Sequence, residues 1–187
     1  MVCTMKLDLS FWTNASSKRK RIYSTLIILV IGIFLLFLGS LVRLSPQEAK
    51  QLTNCFNQTV TSNRASGALA EHIFLHNLSI CLLEFVPVIG PIWGFISFFA
   101  TGIGISAIST VKGYHPLLAL LTLGIYPFTW LEFASYSIAI TESIWLFRRL
   151  LQGRWHEIKN TAVLIGLCAI LLLIGAIVET WLISIGV

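Results

Sequence analysis

Charge is scarce in this chain. Only 11% of its 187 residues are Asp, Glu, Lys or Arg, while 56% are hydrophobic. Soluble domains carry about 25% charged residues, so a water-facing globule is excluded and a polytopic membrane protein is implied. Paired cysteines are lacking as well. Cys3, Cys55, Cys81 and Cys168 are scattered, with no CxxC pair and no close framework. That spacing argues against a structural zinc site or a disulfide scaffold and leaves them as small hydrophobes. No nucleophile motif and no phosphate-cradling glycine loop is present, so neither an enzyme nor a cofactor is expected. Internal repeats and inverted halves are also missing, which argues against a complete transporter in one chain. The net charge of +5 does not point to nucleic acid, because the basic residues cluster beside apolar segments.

What the chain does have is long apolar runs, and these predict an all-α, polytopic transmembrane bundle of about five spans. Residues 1–21 read as a cytoplasmic segment ending in Lys18, Arg19, Lys20 and Arg21. Residues 22–42 follow as an unbroken apolar run able to cross ~30 Å of hydrocarbon. No small-residue cleavage site follows it, so it reads as a retained anchor rather than a signal peptide. It is an Ile/Leu/Phe cylinder expected to face lipid all round. Residues 43–71 are polar and extracytoplasmic. They are partly helical from the Ser45, Pro46, Glu48 start signal, with a loop expected at 62–67. Asn57, Gln58 and Thr59 form a glycosylation sequon there.

Residues 72–187 form a bundle of about four spans. A short second span (72–88) and a third (91–111) meet at Pro87 and Pro91, as two full crossings or a re-entrant hairpin. The fourth run, 117–147, would reach ~46 Å as one straight helix, so Pro127 should kink or break it. A basic cytoplasmic loop, 148–159, precedes the last span. Lys6, Lys18, Arg19, Lys20, Arg21, Arg148, Arg149, Arg154 and Lys159 fall on the cytoplasmic side, against Arg43, Lys50, Arg64 and Lys112 outside. That bias puts the N-terminus in the cytoplasm of a multi-pass cell-membrane protein and the C-terminus outside. Small residues one turn apart at Gly90 and Gly94, Gly102 and Ser106, and Ala162 and Gly166 should let helices approach closely.

Half of the acids lie in or near apolar runs: Glu84, Glu132, Glu142 and Glu179. A carboxylate at bilayer depth costs ~3 kcal/mol or more unless it is paired, hydrated or protonated. Glu84 and Glu132 are the deep ones. With Asn77, Ser135 and Tyr136 they make an intramembrane polar centre expected to hold the bundle together. Glu142 reads as an interfacial ion-pair residue within reach of Arg148 or Arg149. His72 and His76, four apart on one helix face, are weak metal candidates, with His115 the available third ligand.

The run Ile73, Phe74, Leu75, His76, Asn77 precedes a helical pair rich in small residues. Pro127, Leu131, Glu132 and Ala134 are followed by a glycine-containing basic segment and a last span. In both features the chain resembles the integral membrane family of stage II sporulation protein M, over roughly residues 72–187. It keeps Asn77 and Glu132, landmarks of that family. Phe128 and Thr129 stand where a His and a Gly belong, so no hydrolytic or metal role carries over. The resemblance implies a membrane partner of other proteins, as the founding member resembles a scaffold for peptidoglycan-degrading machinery. The expected function is therefore a non-catalytic scaffold or accessory subunit, hetero-oligomeric with other integral membrane proteins in the bilayer. A small channel or transporter subunit using Glu84 and Glu132 is the alternative.

Overall fold

The computed structural model describes residues 16–185; Cys3 and Lys6 lie outside the described residues. Among the described residues the chain is seven helices and no strand: α1 (Ser17–Ser40), α2 (Pro46–Ala65), α3 (Leu69–Glu84), α4 (Ile89–Lys112), α5 (Pro116–Ile125), α6 (Pro127–Leu150) and α7 (Glu157–Ser184). Three of them, α1, α4 and α7, are long and apolar enough to cross a membrane. The bent pair α5 and α6 makes a fourth if it counts as one span. The short second run forms α3, whose 16 residues reach only about 24 Å.

Local signals explain most boundaries. Ser45 caps α2 in a full capping box. Its hydroxyl accepts from the Glu48 amide, and the Glu48 carboxylate accepts from the Ser45 amide at 2.9 Å. The helix then continues through Ala65, so the loop expected from residue 62 is shorter than predicted; its last turns are held by Ser62 and Asn63 bonding the Thr59 carbonyl. At Pro127 the chain breaks, and α5 and α6 meet at 90°. Proline has no amide to donate and its ring clashes with the preceding turn, while Tyr126 before it is driven to extended backbone (φ −79°, ψ 128°). The Trp130 indole donates to the Gly124 carbonyl at 2.9 Å, satisfying an acceptor at the end of α5.

Two helix pairs build the frame, and they run in opposite senses. Helices α1 and α4 are parallel. Gly32 faces Phe98, Gly39 and Leu36 face Gly102, and the Ser106 hydroxyl donates to the Val42 carbonyl at 2.6 Å. A Cβ on Gly39 would lie 2.1 Å from the Phe99 carbonyl oxygen, and one on Gly102 2.1 Å from that of Leu36. The two backbones therefore touch. This corrects the expectation that the first apolar run faces lipid all round: Ile28, Leu36 and Ser40 are buried. In lipid there is no hydrophobic drive between helices, so contact comes from close approach, and glycines inside an Ile/Leu run supply it.

Helices α6 and α7 are antiparallel. Glu142 meets Thr161, Ser135 meets Cys168, and Phe128 lies beside Gly175. The contacts recur every seven residues on both helices, the period of a left-handed pair. The Ala162 and Gly166 step takes no part. Both residues are exposed, and a Cβ on Gly166 would meet nothing within 4 Å, because the heptad puts them on the outer face. Helix α3 lies against α4, α6 and α7. Phe98 fills the space among α1, α4 and α6, edge-on to Phe133 (5.2 Å) and Tyr136 (6.2 Å).

Candidate functional site

Two polar sites are enclosed by this frame. The first joins the start of α1, the end of α6 and the start of α7. Arg21 reaches Glu142 (3.2 Å) and Glu157 (3.1 Å) at once. Arg149 closes on Glu157 from the other side and stacks over the Trp145 ring at 5.6 Å. Thr161 donates to Glu142 at 2.8 Å and Asn160 to Glu157 at 3.1 Å. Two guanidinium groups thus face two carboxylates, with hydroxyl and amide donors completing the shell. Glu142 forms an ion pair as expected from sequence, but its partner is Arg21 from a distant helix rather than Arg148 or Arg149, and its side chain is only 2% exposed. The reason is the crossing of α1 over α6, which brings Arg21 to Glu142 while the turn after α6 directs Arg149 to Glu157. Of the basic run, Lys18 and Arg19 remain exposed, as does Arg148.

The second site lies between α3, α4 and α6. Glu84, the last residue of α3, is fully buried. Its seat is made by Gly90 and Gly94. A Cβ on Gly90 would fall 1.9 Å from the Glu84 carbonyl oxygen. One on Gly94 would fall 3.2 Å from the Glu84 carboxylate and 2.3 Å from Ile140. Here the small-residue step does what its spacing predicts. The chain then reverses through Val88, whose positive φ of 71° with ψ −51° and Ile89-to-Pro87 hydrogen bond (2.9 Å) define a γ-turn. That conformation is strained for a β-branched residue. The Ser143 hydroxyl of α6 donates to Val86 at 2.7 Å and clamps the turn.

Of the predicted polar centre, the structure gathers Glu84, Glu132 and Tyr136 into one electrostatic neighbourhood. Glu132 is half-buried and the Tyr136 hydroxyl is buried without a hydrogen-bond partner. Ser135 is buried, but its hydroxyl donates to Leu131 of its own helix. Asn77 sits half-buried on α3 two turns before Glu84. Glu179 on α7 is close enough to act on Glu132. Cys81 and Cys168 are buried side by side across α3 and α7.

His72 and His76 do share a face, their rings edge-on at 6.3 Å. His115 is not brought to them. It caps α5 instead, its Nδ1 accepting from the Leu117 amide at 3.2 Å. Among the described residues no group of three or more His, Cys, Asp or Glu is placed to hold a metal. The Arg21, Glu142, Glu157, Arg149 network escaped the sequence reading. The signal available for it was acids flanking a basic loop opposite a basic run. No family model, curated protein or solved structure matches the chain.

Proposed function

We propose that the chain is a non-catalytic scaffold or accessory subunit of a larger membrane complex, related to the stage II sporulation protein M family. It crosses the cell membrane five times, through α1, α3, α4, the bent pair α5 and α6, and α7. The end bearing Lys18, Arg19, Arg148, Arg154 and Lys159 is cytoplasmic, since the sequence assigns nine Lys or Arg to that side against Arg43, Lys50, Arg64 and Lys112 on the other. Helix α2 is then extracytoplasmic and carries the partner contact.

The observation that carries this reading is on α2. This helix is polar and would stand in water, yet it exposes Leu52 and Phe56 one turn apart. Leu44, Glu48, Gln51, Leu52 and Cys55 line an open groove beside them. Adjacent large apolar side chains on a water-facing helix mark a protein contact. Asn77 and Glu132, the landmarks shared with the family, support the same reading.

A photo-crosslinker at Phe56 should capture one defined membrane protein in native membranes, and Leu52→Asp with Phe56→Asp should abolish that product. A monomer from gentle native purification, with no adduct at Phe56, overturns the proposal. The unpartnered carboxyl of Glu84 favours a second reading, a channel or transporter subunit. In that case Glu84→Gln and Glu132→Gln stop ion flux into liposomes, whereas the scaffold reading expects no such flux.

A further inference from the structure

Glu84 occupies the place in this molecule where a carboxylate has least support. Its side chain is 0% exposed, and neither oxygen has a hydrogen-bond partner among the described residues. From α6 come Glu132 and the unpartnered Tyr136 hydroxyl; from α7 come Cys168 and, beside Glu132, Glu179. Cys81 lies one turn back on α3, and α4 presents Gly90 and Gly94. Among the described residues no basic side chain acts on Glu84, and Arg21 and Arg149 are committed to Glu142 and Glu157.

A bare carboxylate in such surroundings costs several kcal/mol. Metal cations remove that cost only with several oxygen ligands around them. Here a Cβ added to Gly94 would already lie 3.2 Å from a Glu84 carboxylate oxygen, so the α4 backbone lies close beside the acid. A proton needs one oxygen and no extra space.

We propose that Glu84 is a proton-binding site inside the bundle, its carboxyl group holding a proton at neutral pH. On binding, an O–H bond of a hydronium ion breaks and an O–H bond on a Glu84 carboxylate oxygen forms, leaving water. The carboxylate charge is neutralised, and nothing is oxidised or reduced. The inference is independent of the scaffold reading, since it concerns the bundle interior and not α2.

Infrared spectroscopy of the full chain in phosphatidylcholine vesicles tests it. At neutral pH the wild-type chain should show the carbonyl stretch of a protonated acid, missing in Glu84→Gln and retained in Glu132→Gln. Glu84→Asp should shift that band rather than delete it, which separates loss of the acid from loss of the fold. A neutral-pH spectrum with no Glu84-dependent band overturns the site. Loss of the band on adding sodium at constant pH also overturns it, in favour of a metal cation.

Discussion

The two buried acidic sites solve one problem in opposite ways. At the junction of α1, α6 and α7 each carboxylate has a guanidinium and a further donor, so Glu142 and Glu157 are compensated where they stand. At the end of α3, Glu84 is buried as deeply and has no compensating group. A network with every member satisfied rigidifies the helices it joins, whereas a lone buried acid adds nothing to cohesion. Paired acids in this bundle are therefore the structural ones, and the unpaired acid is the one free to do something else.

The largest effect should come from breaking the paired site. Arg21→Leu leaves Glu142 buried with only Thr161 as a donor and takes one of two cations from Glu157. Removing one partner of a buried pair costs about 3–5 kcal/mol. Arg21 is itself 21% exposed, so we expect the lower end, ~3 kcal/mol, as a drop in unfolding free energy in mild detergent. Arg21→Leu combined with Glu142→Leu should lose less than Arg21→Leu alone. A double variant that loses the sum of the two single effects would show that the groups do not interact.

The next effect probes the frame that carries both sites. Gly102→Leu drives a side chain into the α1 backbone at Leu36 and Ser40. Overpacking of this kind costs about 1–3 kcal/mol, and rigid backbone on the far side places this case at the top of that range. Gly166→Leu meets nothing. It should leave stability within ~0.5 kcal/mol of wild type, as surface substitutions do. Equal losses for the two variants, read by thermal unfolding, would refute the assignment of α1 against α4.

Much of the fold was legible because it follows from local chemistry. Pro127 broke the fourth run, Ser45 and Glu48 capped α2, and Gly90 with Gly94 gave close packing. The α1 packing was not legible, because Gly32 and Gly39 are inconspicuous inside an Ile/Leu run and their partners, Phe98, Phe99 and Gly102, are remote in sequence. The ion-pair network was missed for a similar reason. Local spacing suggested Arg148 or Arg149 for Glu142, while tertiary crossing supplied Arg21. Glu84 was legible as a costly residue, but only the three-dimensional arrangement separates Glu142, which has partners, from Glu84, which has none.

A smaller effect lies outside the bundle. Ser45→Ala removes the α2 cap and should cost about 1 kcal/mol of local stability, read as faster amide exchange in residues 47–50. The cap is also pH-dependent. Hydrogen bonds from the Ser45 side chain and backbone hold the Glu48 carboxyl below the ordinary glutamate value. A lowered folded value contributes stability above the ordinary one and loses it as pH falls through the folded value. Exchange in α2 should therefore quicken on the acid side of pH 4.5 in wild type and much less in Ser45→Ala. Equal acid responses would remove Glu48 from the cap.

A further small change on stability bears most directly on the contrast between the sites. Glu84→Leu replaces a buried, unpartnered carboxyl with an apolar group of similar size. Such replacements are neutral or stabilising, because they remove a desolvation cost and break no bond. We expect thermal unfolding within ~1 kcal/mol of wild type, or a gain. If Glu84 were a polar clasp of the bundle, the same variant would lose stability as Arg21→Leu does. A loss approaching ~3 kcal/mol would place Glu84 with the paired acids and dissolve the distinction. Unchanged stability, with the protonated-carboxyl band gone, would mean that the bundle keeps this acid for a reason other than holding itself together.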